Sequence, residues 1–286
     1  MNVDIPNIKK YNAIIDNMCL QWKENIHILA DFDKTLTRAF IKWKSFPSLI
    51  SILRNDERIL WKQYAKKAHD LYNYYSVIEK DPQVKLVDKI EIMSQWWRKH
   101  QELLIESWLT QQHIKQAINS GYLEFRDWIE EFIKILEKNN IPLVIISANW
   151  IWWDSIKMFF EKHGLMSANI HIISNVLKFD DNWVTCWFEN KVIHSFNKTE
   201  AVISDYPEIH KKIQNRKNVI LMWDSLGDPQ MIDGFDWDNV LKIWFFNEDT
   251  SASNEKLYRK FEESYDVIIK WDWNLNFVNK LLKNIK

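Results

Sequence analysis

The sequence predicts an α/β protein: a Rossmann-like parallel sheet flanked by helices, with an inserted all-helical domain and a small β-hairpin. Short apolar runs of strand length, such as residues 28–30, alternate with segments whose apolar residues recur at helical spacing. Such runs are typical of parallel strands buried on both faces, and their alternation with helices is typical of a sheet covered on both sides. After the first run comes a long stretch with helical spacing and no convincing strand.

The first elements are a helix over residues 7–25 and a strand that ends at Asp31. Residues 124–139 predict a second amphipathic helix, which leads into a buried strand over residues 141–147 that ends on Ser147. Each strand therefore delivers a polar side chain at its carboxyl end. That edge of a parallel sheet is where ligands bind, so we expect the functional site there.

The rest of the chain supplies the remaining strands and a closing helix. Loose alternation of apolar and polar residues around two polar turns predicts an antiparallel hairpin over residues 179–196. Further strands are expected at residues 170–176, 218–222, 240–246 and 265–269, and a last helix at 277–285.

Residues 40–122 form the predicted insertion. Their apolar positions recur at i, i+3 and i+4, and the one interruption is at residues 77–82, where Pro82 breaks the helix. We therefore expect a catalytic core made of residues 1–39 and 123–286, and a helical cap domain made of residues 40–122. A cap over the strand-end pocket would exclude water and supply substrate-selecting side chains.

Composition argues against several classes of protein. The chain has 286 residues, a formal net charge of −1 and no long block of one sign, so we expect no nucleic-acid partner. The most apolar run, residues 141–153, contains Pro142 and Asn149 and is too short to span a bilayer, so we expect no membrane partner. The two cysteines, Cys19 and Cys186, lack metal-ligand spacing, which favours a reduced, cytoplasmic location. We expect a monomer.

Two acidic residues one position apart, Asp31 and Asp33, follow the first strand and precede Thr35 and Thr37. In this D-x-D arrangement one carboxylate can attack an electrophile while the other moves protons, and a hard cation can offset their mutual repulsion. The alternative is that Asp33 and Thr35 only cap the following helix.

Further polar residues follow other predicted strands or lie in loops: Ser147, Lys198, Asp224 and Asp228. Each has a simpler explanation alone, as a helix cap, a surface charge or a turn residue. Together they match the needs of phosphoryl transfer to a carboxylate: a nucleophile, a proton donor, a hydroxyl and a cation on the phosphate oxygens, and carboxylates for Mg²⁺.

These motifs resemble those of the haloacid dehalogenase superfamily of phosphatases and, more narrowly, of the cytosolic type III (pyrimidine) 5′-nucleotidases. The resemblance runs from about residue 26 to the end of the chain. The matching segments include D-F-D-K-T-L-T-R at 31–38, I-E-K-D-P at 78–82, H-S-F-N-K at 194–198 and D-S-L-G-D at 224–228. The I-E-x-D-P and H-x-F-N-K segments are the more specific ones.

The resemblance implies a catalytic role for Asp31 as the nucleophile and for Asp33 as the acid and base. It implies that Mg²⁺ is held by Asp224, Asp31 and the main-chain carbonyl of Asp33, with Asp228 orienting that shell. The implied activity is Mg²⁺-dependent hydrolysis of nucleoside 5′-monophosphates, such as CMP, UMP or 7-methyl-GMP, through an aspartyl-phosphate.

It also implies the contacts to the substrate. Ser147, the Ala148 backbone and Lys198 would hold the phosphate, and Glu79 from the cap would contact the base. Trp97 or its neighbour Trp96 would stack on the base, although an aromatic residue at helical spacing is more often part of a core. His100 stands where the family has a small residue near the base, which leaves the choice of base open.

Two other functions remain open from the sequence. One is a phosphatase of the same superfamily that acts on another small phosphomonoester. The other is a catalytically impaired nucleotide-binding protein.

The balance of glycine and tryptophan is abnormal: the chain has 4 glycines and 17 tryptophans. Glycine serves where the backbone takes positive φ or approaches a ligand closely, and tryptophan is a poor substitute there. We hypothesise that UGA codons meaning glycine are represented as tryptophan at positions where the family has glycine, namely Trp43, Trp150, Trp152, Trp187, Trp223 and Trp244.

Overall fold

The structure is a computed structural model that describes residues 2–42, 44–45, 48–81, 83–148, 153–189, 191–198, 201–224, 236–248, 255, 258–259 and 262–285, without the side chains of Trp153 and Ala201. The strands are β1 (Val3–Asp4), β2 (Ile26–Ala30), β3 (Leu143–Ser147), β4 (Ile170–Ser174), β5 (Leu177–Phe179), β6 (Thr185–Phe188), β7 (Asn218–Trp223), β8 (Asn239–Phe246) and β9 (Val267–Lys270). The helices are α1 (Ile8–Gln21), α2 (Leu49–Asn55), α3 (Lys62–Lys80), α4 (Leu86–Glu106), α5 (Gln111–Ile118), α6 (Ile129–Lys138), α7 (Trp153–Lys162), α8 (Ala201–Ser204), α9 (Pro207–Ile213) and α10 (Asn276–Asn284).

A seven-stranded sheet in the order β1-β9-β8-β7-β2-β3-β4 forms the centre of the molecule. Its neighbouring strands are parallel except that β1 runs antiparallel to β9. Every residue of the central strands β2, β3 and β7 is buried, which explains why their sequences are mostly apolar. The predicted α/β fold with a parallel sheet is confirmed.

The register of the central strands aligns their carboxyl ends. Ala30 of β2 lies opposite Ile145 of β3 and Met222 of β7. The residue after Ala30 is Asp31, so Ser147 and Asp224 lie within about one residue of its level on the two adjacent strands. Parallel neighbours are about 4.8 Å apart, and these three side chains therefore share one edge of the sheet.

Residues 40–122 contain the helices α2 to α5 and no strand among those that the structure describes, as the helical spacing indicated. The two ends of this segment lie side by side, because Thr37 forms an antiparallel bridge with Phe125. Two backbone hydrogen bonds flank that bridge, from Arg38 N to the Glu124 oxygen at 3.0 Å and from Arg126 N to the Leu36 oxygen at 2.9 Å.

The small hairpin of β5 and β6 lies beside the helical segment. Thr110 forms a bridge with Val184, and the Thr185 amide donates to the Leu109 oxygen at 2.8 Å.

Within the described part of the chain, no helix is long and apolar enough to cross a membrane.

Several predicted boundaries were wrong for local reasons. The first helix stops at Gln21 instead of residue 25, because Trp22 adopts φ 69° and a 3-10 turn follows. The helix expected from residue 124 begins at Ile129, since residues 124–126 pair with residues 36–38. The hairpin spans residues 177–188 instead of 179–196, and the described residues after it form an irregular loop. The edge strand β1 was not predicted, because two residues carry no periodic signal.

The tryptophans proposed to replace glycine have different surroundings. Trp187, Trp223 and Trp244 lie in the strands β6, β7 and β8. A left-handed backbone therefore does not explain why the family has glycine at these three positions. Trp43, Trp150 and Trp152 lie outside the described residues.

Candidate active site

Asp31 and Lys198 form a buried ion pair at the carboxyl edge of the sheet. The Lys198 Nζ atom lies 2.8 Å from Asp31 Oδ1, and the two side chains are only 5% and 8% exposed. The Phe32 amide donates to the same Oδ1 atom at 2.8 Å, and the Asp31 amide donates to the Met222 oxygen of β7 at 3.1 Å. The sheet therefore fixes the backbone of Asp31, while a cation 167 positions later in the chain meets its carboxylate.

A tight turn follows Asp31 and carries Asp33, which is 4% exposed. The amides of Leu36 and Thr37 both donate to the Phe32 oxygen, at 3.0 and 3.1 Å. Lys34 adopts a positive φ of 58°, and its amide donates to Thr37 Oγ1 at 3.0 Å. Thr37, the second threonine of D-x-D-K-T-L-T, thus stabilises the turn that follows Asp31 and carries Asp33.

Arg126 supports this turn from the interior, where it is 1% exposed. Its Nε donates to the Thr35 oxygen at 2.8 Å, and its guanidinium also donates to the Lys34 oxygen. The same guanidinium forms a 3.0 Å ion pair with Asp272 and donates to Asn247 Oδ1 at 3.1 Å. Asn247 in turn donates to the Lys34 oxygen at 3.0 Å. A fully buried cation is therefore surrounded by oxygen acceptors, as its burial requires.

Ser147 ends β3 with its Oγ buried and with no hydrogen-bond partner among the residues that the structure describes. A buried hydroxyl that lacks a partner is costly, so a ligand oxygen is a natural partner for it. Ala148 follows, and its carbonyl accepts from Asn175 Nδ2 at 2.7 Å.

Asp224 directly follows β7 and interacts electrostatically with the Asp31 site. Burial raises the pKa of the Asp224 carboxyl to about 6, and the negative charge of Asp31 adds to the rise. The positive charges of Lys34, Lys198 and Arg126 oppose it. Two carboxylates that repel each other in this way form a donor set that suits a hard divalent cation.

Within the described ranges, no group of three or more His, Cys, Asp and Glu side chains has a metal-binding arrangement. Asp228, the remaining predicted metal residue, lies outside the described residues. The carboxylates of Asp31 and Asp224 nevertheless fit Mg²⁺ by their chemistry, because this ion takes one or two carboxylates together with waters and phosphate oxygens.

The helical segment contacts the loop that carries Lys198. Glu79, in the last turn of α3, accepts a hydrogen bond from Ser195 Oγ, and its own carbonyl accepts from Lys89 Nζ at 2.7 Å. Ser94 Oγ lies 3.1 Å from His194 Nε2. Glu79 therefore connects the helical segment to the loop that carries Lys198.

The other predicted base contacts are packed among the helices. His100 is 3% exposed, and its Nε2 lies 3.0 Å from the Tyr64 hydroxyl. Trp97 is 8% exposed and packs in the main hydrophobic core. Trp96 stacks on Tyr75 with ring centroids 5.6 Å apart and planes at 8°.

Comparison with known proteins now identifies the family. A model described as pyrimidine 5′-nucleotidase (UMPH-1) matches residues 34–286. The chain is 31% identical over 262 residues to 7-methylguanosine phosphate-specific 5′-nucleotidase A of Xenopus laevis, which covers 91% of this chain and 88% of that protein. The chain belongs to the pyrimidine 5′-nucleotidase family. The mouse 7-methylguanosine phosphate-specific 5′-nucleotidase is 32% identical over 263 residues, covering 92% of this chain and 85% of that protein.

Solved structures agree with the family assignment. The crystal structure of cytosolic 5′-nucleotidase IIIB bound to cytidine matches with a TM-score of 0.83 at 26% identity, over 99% of this chain and 93% of that chain. Phosphoserine phosphatase in its apo form matches with a TM-score of 0.53 at 19% identity, over 91% of this chain and 98% of that chain, which shows the fold alone. The expected haloacid dehalogenase fold and pyrimidine 5′-nucleotidase family are confirmed, and enzymes of this family are phosphoric monoester hydrolases.

Two site residues of this 5′-nucleotidase family member were missed by sequence reasoning: Arg126 and Asn175. Arg126 stood in a segment assigned to a helix, and Asn175 in a segment assigned to a strand. No sequence signal singles them out, because their partners are mostly backbone carbonyls, which every residue possesses.

Proposed function

We propose that this chain hydrolyses nucleoside 5′-monophosphates to a nucleoside and phosphate. The observation that carries the proposal is the buried pair of Asp31 and Lys198, at the sheet edge that also bears Ser147 and Asp224. A carboxylate, a cation and a buried hydroxyl that has no partner among the described residues would provide, at one sheet edge, a nucleophile and two ligands for phosphate oxygens.

The reaction requires two displacements. Asp31 attacks the phosphorus, the bond from phosphorus to the nucleoside 5′ oxygen breaks, and Asp33 gives its proton to that oxygen. Asp33 then takes a proton from a water molecule, which attacks the aspartyl-phosphate and restores Asp31 as phosphate leaves. Lys198 and Ser147 would hold the phosphate oxygens in both steps, with the Ala148 backbone beside them.

Asp31, Asp224 and the Asp33 carbonyl would hold Mg²⁺, with Asp228 orienting that group. When bound, the ion supplies positive charge that offsets the charge of the carboxylates and of the phosphate. Because Asp224 carries a raised pKa beside Asp31, a cation there also stabilises its ionised form.

We further propose that residues 40–122 act as a cap domain that selects the base. Glu79 reaches the Lys198 loop through Ser195, which puts a carboxylate at the boundary of the helical segment and the catalytic edge. A carboxylate favours a base with an exocyclic amino group or a positive charge, and cytosine and 7-methylguanine both qualify. The relatives' names, which specify 7-methylguanosine phosphate, and the cytidine-bound structure support the same two base classes. Trp97 and His100 would form the buried inner wall of the base pocket.

The reaction would take place in the cytoplasm, and the chain would act as a monomer. The structural relative named as cytosolic and the two free thiols, Cys19 and Cys186, support the location.

Phosphate release should be measured from CMP, UMP, 7-methyl-GMP and phosphoserine, with Mg²⁺ and with excess chelator, for the wild type and Asp31→Asn. The proposal expects Mg²⁺-dependent turnover of at least one nucleotide, little turnover of phosphoserine, and loss of activity in the variant. Equal turnover of phosphoserine would favour a phosphatase of another small phosphomonoester. No turnover of any compound would favour a nucleotide-binding protein without catalysis.

A further inference from the structure

Asn175 links the two loops that carry the phosphate-binding residues. It follows β4, is 2% exposed, and donates from Nδ2 to the Ala148 oxygen at 2.7 Å and to the Ile193 oxygen at 2.9 Å. Its Oδ1 accepts from the Ile193 amide at 2.8 Å. One side-chain amide thus makes the hydrogen bonds that connect the two loops.

The linked loops lead directly to the phosphate site. Ala148 is the neighbour of Ser147, and Ile193 begins the segment that ends at Lys198. Asn197 braces that segment, since its Oδ1 accepts from the His194 amide at 2.7 Å and its Nδ2 donates to the Val192 oxygen at 2.7 Å. The position of Lys198 relative to Ser147 therefore depends on the contacts of Asn175.

We infer that Asn175 is a positioning residue that sets the distance between the Ser147 hydroxyl and the Lys198 ammonium. The primary amide is required because it presents two donor hydrogens and an acceptor at once. An aspartate of the same shape keeps the acceptor but places negative oxygens against the carbonyls of Ala148 and Ile193. The consequence for phosphate binding rests on the proposed function.

Asn175→Asp and Asn175→Ala should be compared with the wild type and with Asn169→Ala. Asn169 is a matched control, because its Nδ2 also donates to two carbonyls, those of Leu136 at 3.0 Å and Ile141 at 3.3 Å, at the opposite edge of the sheet. We expect the Asn175 variants to raise the KM for the nucleotide and the inhibition constant of inorganic phosphate roughly tenfold to hundredfold, since small misplacements cost that much. Asn169→Ala should leave both unchanged.

Hydrogen exchange of residues 191–198 provides a readout that does not need catalysis. The Ile193 amide should be protected in the wild type, and the whole segment should exchange faster in Asn175→Asp. Because aspartate has the shape of asparagine, this variant keeps the test valid if Asn175→Ala unfolds. Unchanged exchange in Asn175→Asp would overturn the inference. If the wild type turns over no nucleotide, the proposed function fails, whereas the exchange result still decides the role of Asn175.

A second, independent observation concerns the tryptophans. Three helices end in the same way, with a residue of left-handed backbone. The amide of that residue and the amide of the next residue both donate to carbonyl oxygens in the last turn of the helix. After α7 that residue is Gly164, with φ 66°, and after α6 it is Asn140, with φ 50°. After α4 it is Trp108, with φ 55°, whose amide donates to the Ile105 oxygen at 2.9 Å while the Leu109 amide donates to the Leu104 oxygen at 3.1 Å.

A positive φ recurs at four other tryptophans. Nine described residues other than glycine have positive φ, and five of them are tryptophan: Trp22, Trp108, Trp128, Trp183 and Trp271, with φ between 55° and 69°. All five are more than half exposed, so the indole rings do not stabilise the core. Trp183 closes the β5–β6 turn, where its amide donates to the Asp180 oxygen at 3.0 Å, a position that normally requires glycine.

We propose that these five positions are glycine in the natural protein, encoded by UGA. They differ from the six positions singled out by the family pattern, and the backbone angle is a separate reason for them. Left-handed backbone is strained for a bulky residue and unstrained for glycine.

Peptide mass spectrometry of the protein isolated from its own cells decides the matter directly. Glycine at residues 22, 108, 128, 183 and 271 is the expected result, and tryptophan at these positions would overturn the proposal. A recombinant test is independent of the source. Trp108→Gly should raise the Tm, whereas Trp97→Gly, in the buried interior of the same helix α4, should lower it. A lower Tm for Trp108→Gly would contradict the strain argument.

Discussion

The Lys198 Nζ atom lies 2.8 Å from Asp31 Oδ1, and both side chains are almost completely buried. A buried ion pair of this kind is weak evidence for stability as such, but the removal of one partner leaves an uncompensated charge. Asp31 is the proposed nucleophile, so in the proposed mechanism Lys198 neutralises its charge at rest and would bind the phosphate oxygens during the attack.

Lys198→Met should lower the free energy of unfolding by about 3 kcal/mol in the absence of Mg²⁺, because Asp31 then stays buried without a counter-charge. Urea unfolding measures it. Lys191→Met is the control, since Lys191 pairs with Asp205 on the surface, and its loss should cost less than about 1 kcal/mol. Equal losses in the two variants would show that the Asp31 pair is not buried in solution.

Glu79→Gln should raise the KM for CMP or 7-methyl-GMP about tenfold, because a charged acceptor is replaced by a neutral one. Inhibition by inorganic phosphate should stay at its wild-type value, since phosphate lacks a base. Glu106→Gln serves as the control, because Glu106 forms only an exposed pair with Lys67 at 3.1 Å. An equal effect on phosphate inhibition would mean that Glu79 acts on the Lys198 loop and not on the base.

Arg126→Met should destabilise the protein by about 3–5 kcal/mol, because the carbonyls of Lys34 and Thr35 and the Asp272 carboxylate lose their buried partner. Arg126→Lys should recover part of the stability, since one ammonium can satisfy only some of these acceptors. Denaturant unfolding checks both, and Arg259→Met, at an exposed pair with Glu255, should change stability by less than about 0.5 kcal/mol. A mild effect of Arg126→Met would refute its role in supporting the turn that carries Asp33.

The central fold could be predicted because β2, β3 and β7 are buried along their whole length and their sequences are correspondingly apolar. The Asp31 edge followed from the same pattern, because parallel strands present their carboxyl ends together. The proximity of Lys198 to Asp31 was implied by family resemblance, since no periodicity connects residues so distant in the chain.

Arg126 and Asn175 could not be predicted for a physical reason. Their partners are mostly backbone carbonyls, which every residue possesses, so the sequence carries no matching signal. The Arg126 partners lie up to 147 residues away in the chain. Only a folded chain shows which carbonyls lack a backbone donor and therefore need a side-chain one.

Stability should fall in mild acid, and His100 is one of the buried histidines that cause this. Burial, aided by the positive charge of Arg54, lowers the pKa of His100 to about 3, while an unfolded histidine has a pKa of about 6.5. Between these values the unfolded state binds more protons, so the free energy of unfolding decreases as the pH falls, by up to about 1.4 kcal/mol per pH unit. His100→Gln should flatten this slope in urea unfolding series from pH 7 to pH 4, roughly the window in which the two states differ. A slope equal to that of the wild type would contradict the burial of a neutral imidazole.

The most direct test of the central claim is to trap the covalent intermediate. A nucleotide labelled with ³²P in its phosphate should be mixed with the enzyme and Mg²⁺, quenched in acid within the first turnover, and the protein digested and mapped. The label should appear on the peptide that contains Asp31 and should be absent from Asp31→Asn. Label on another residue, or turnover without any labelled peptide, would contradict Asp31 as the nucleophile.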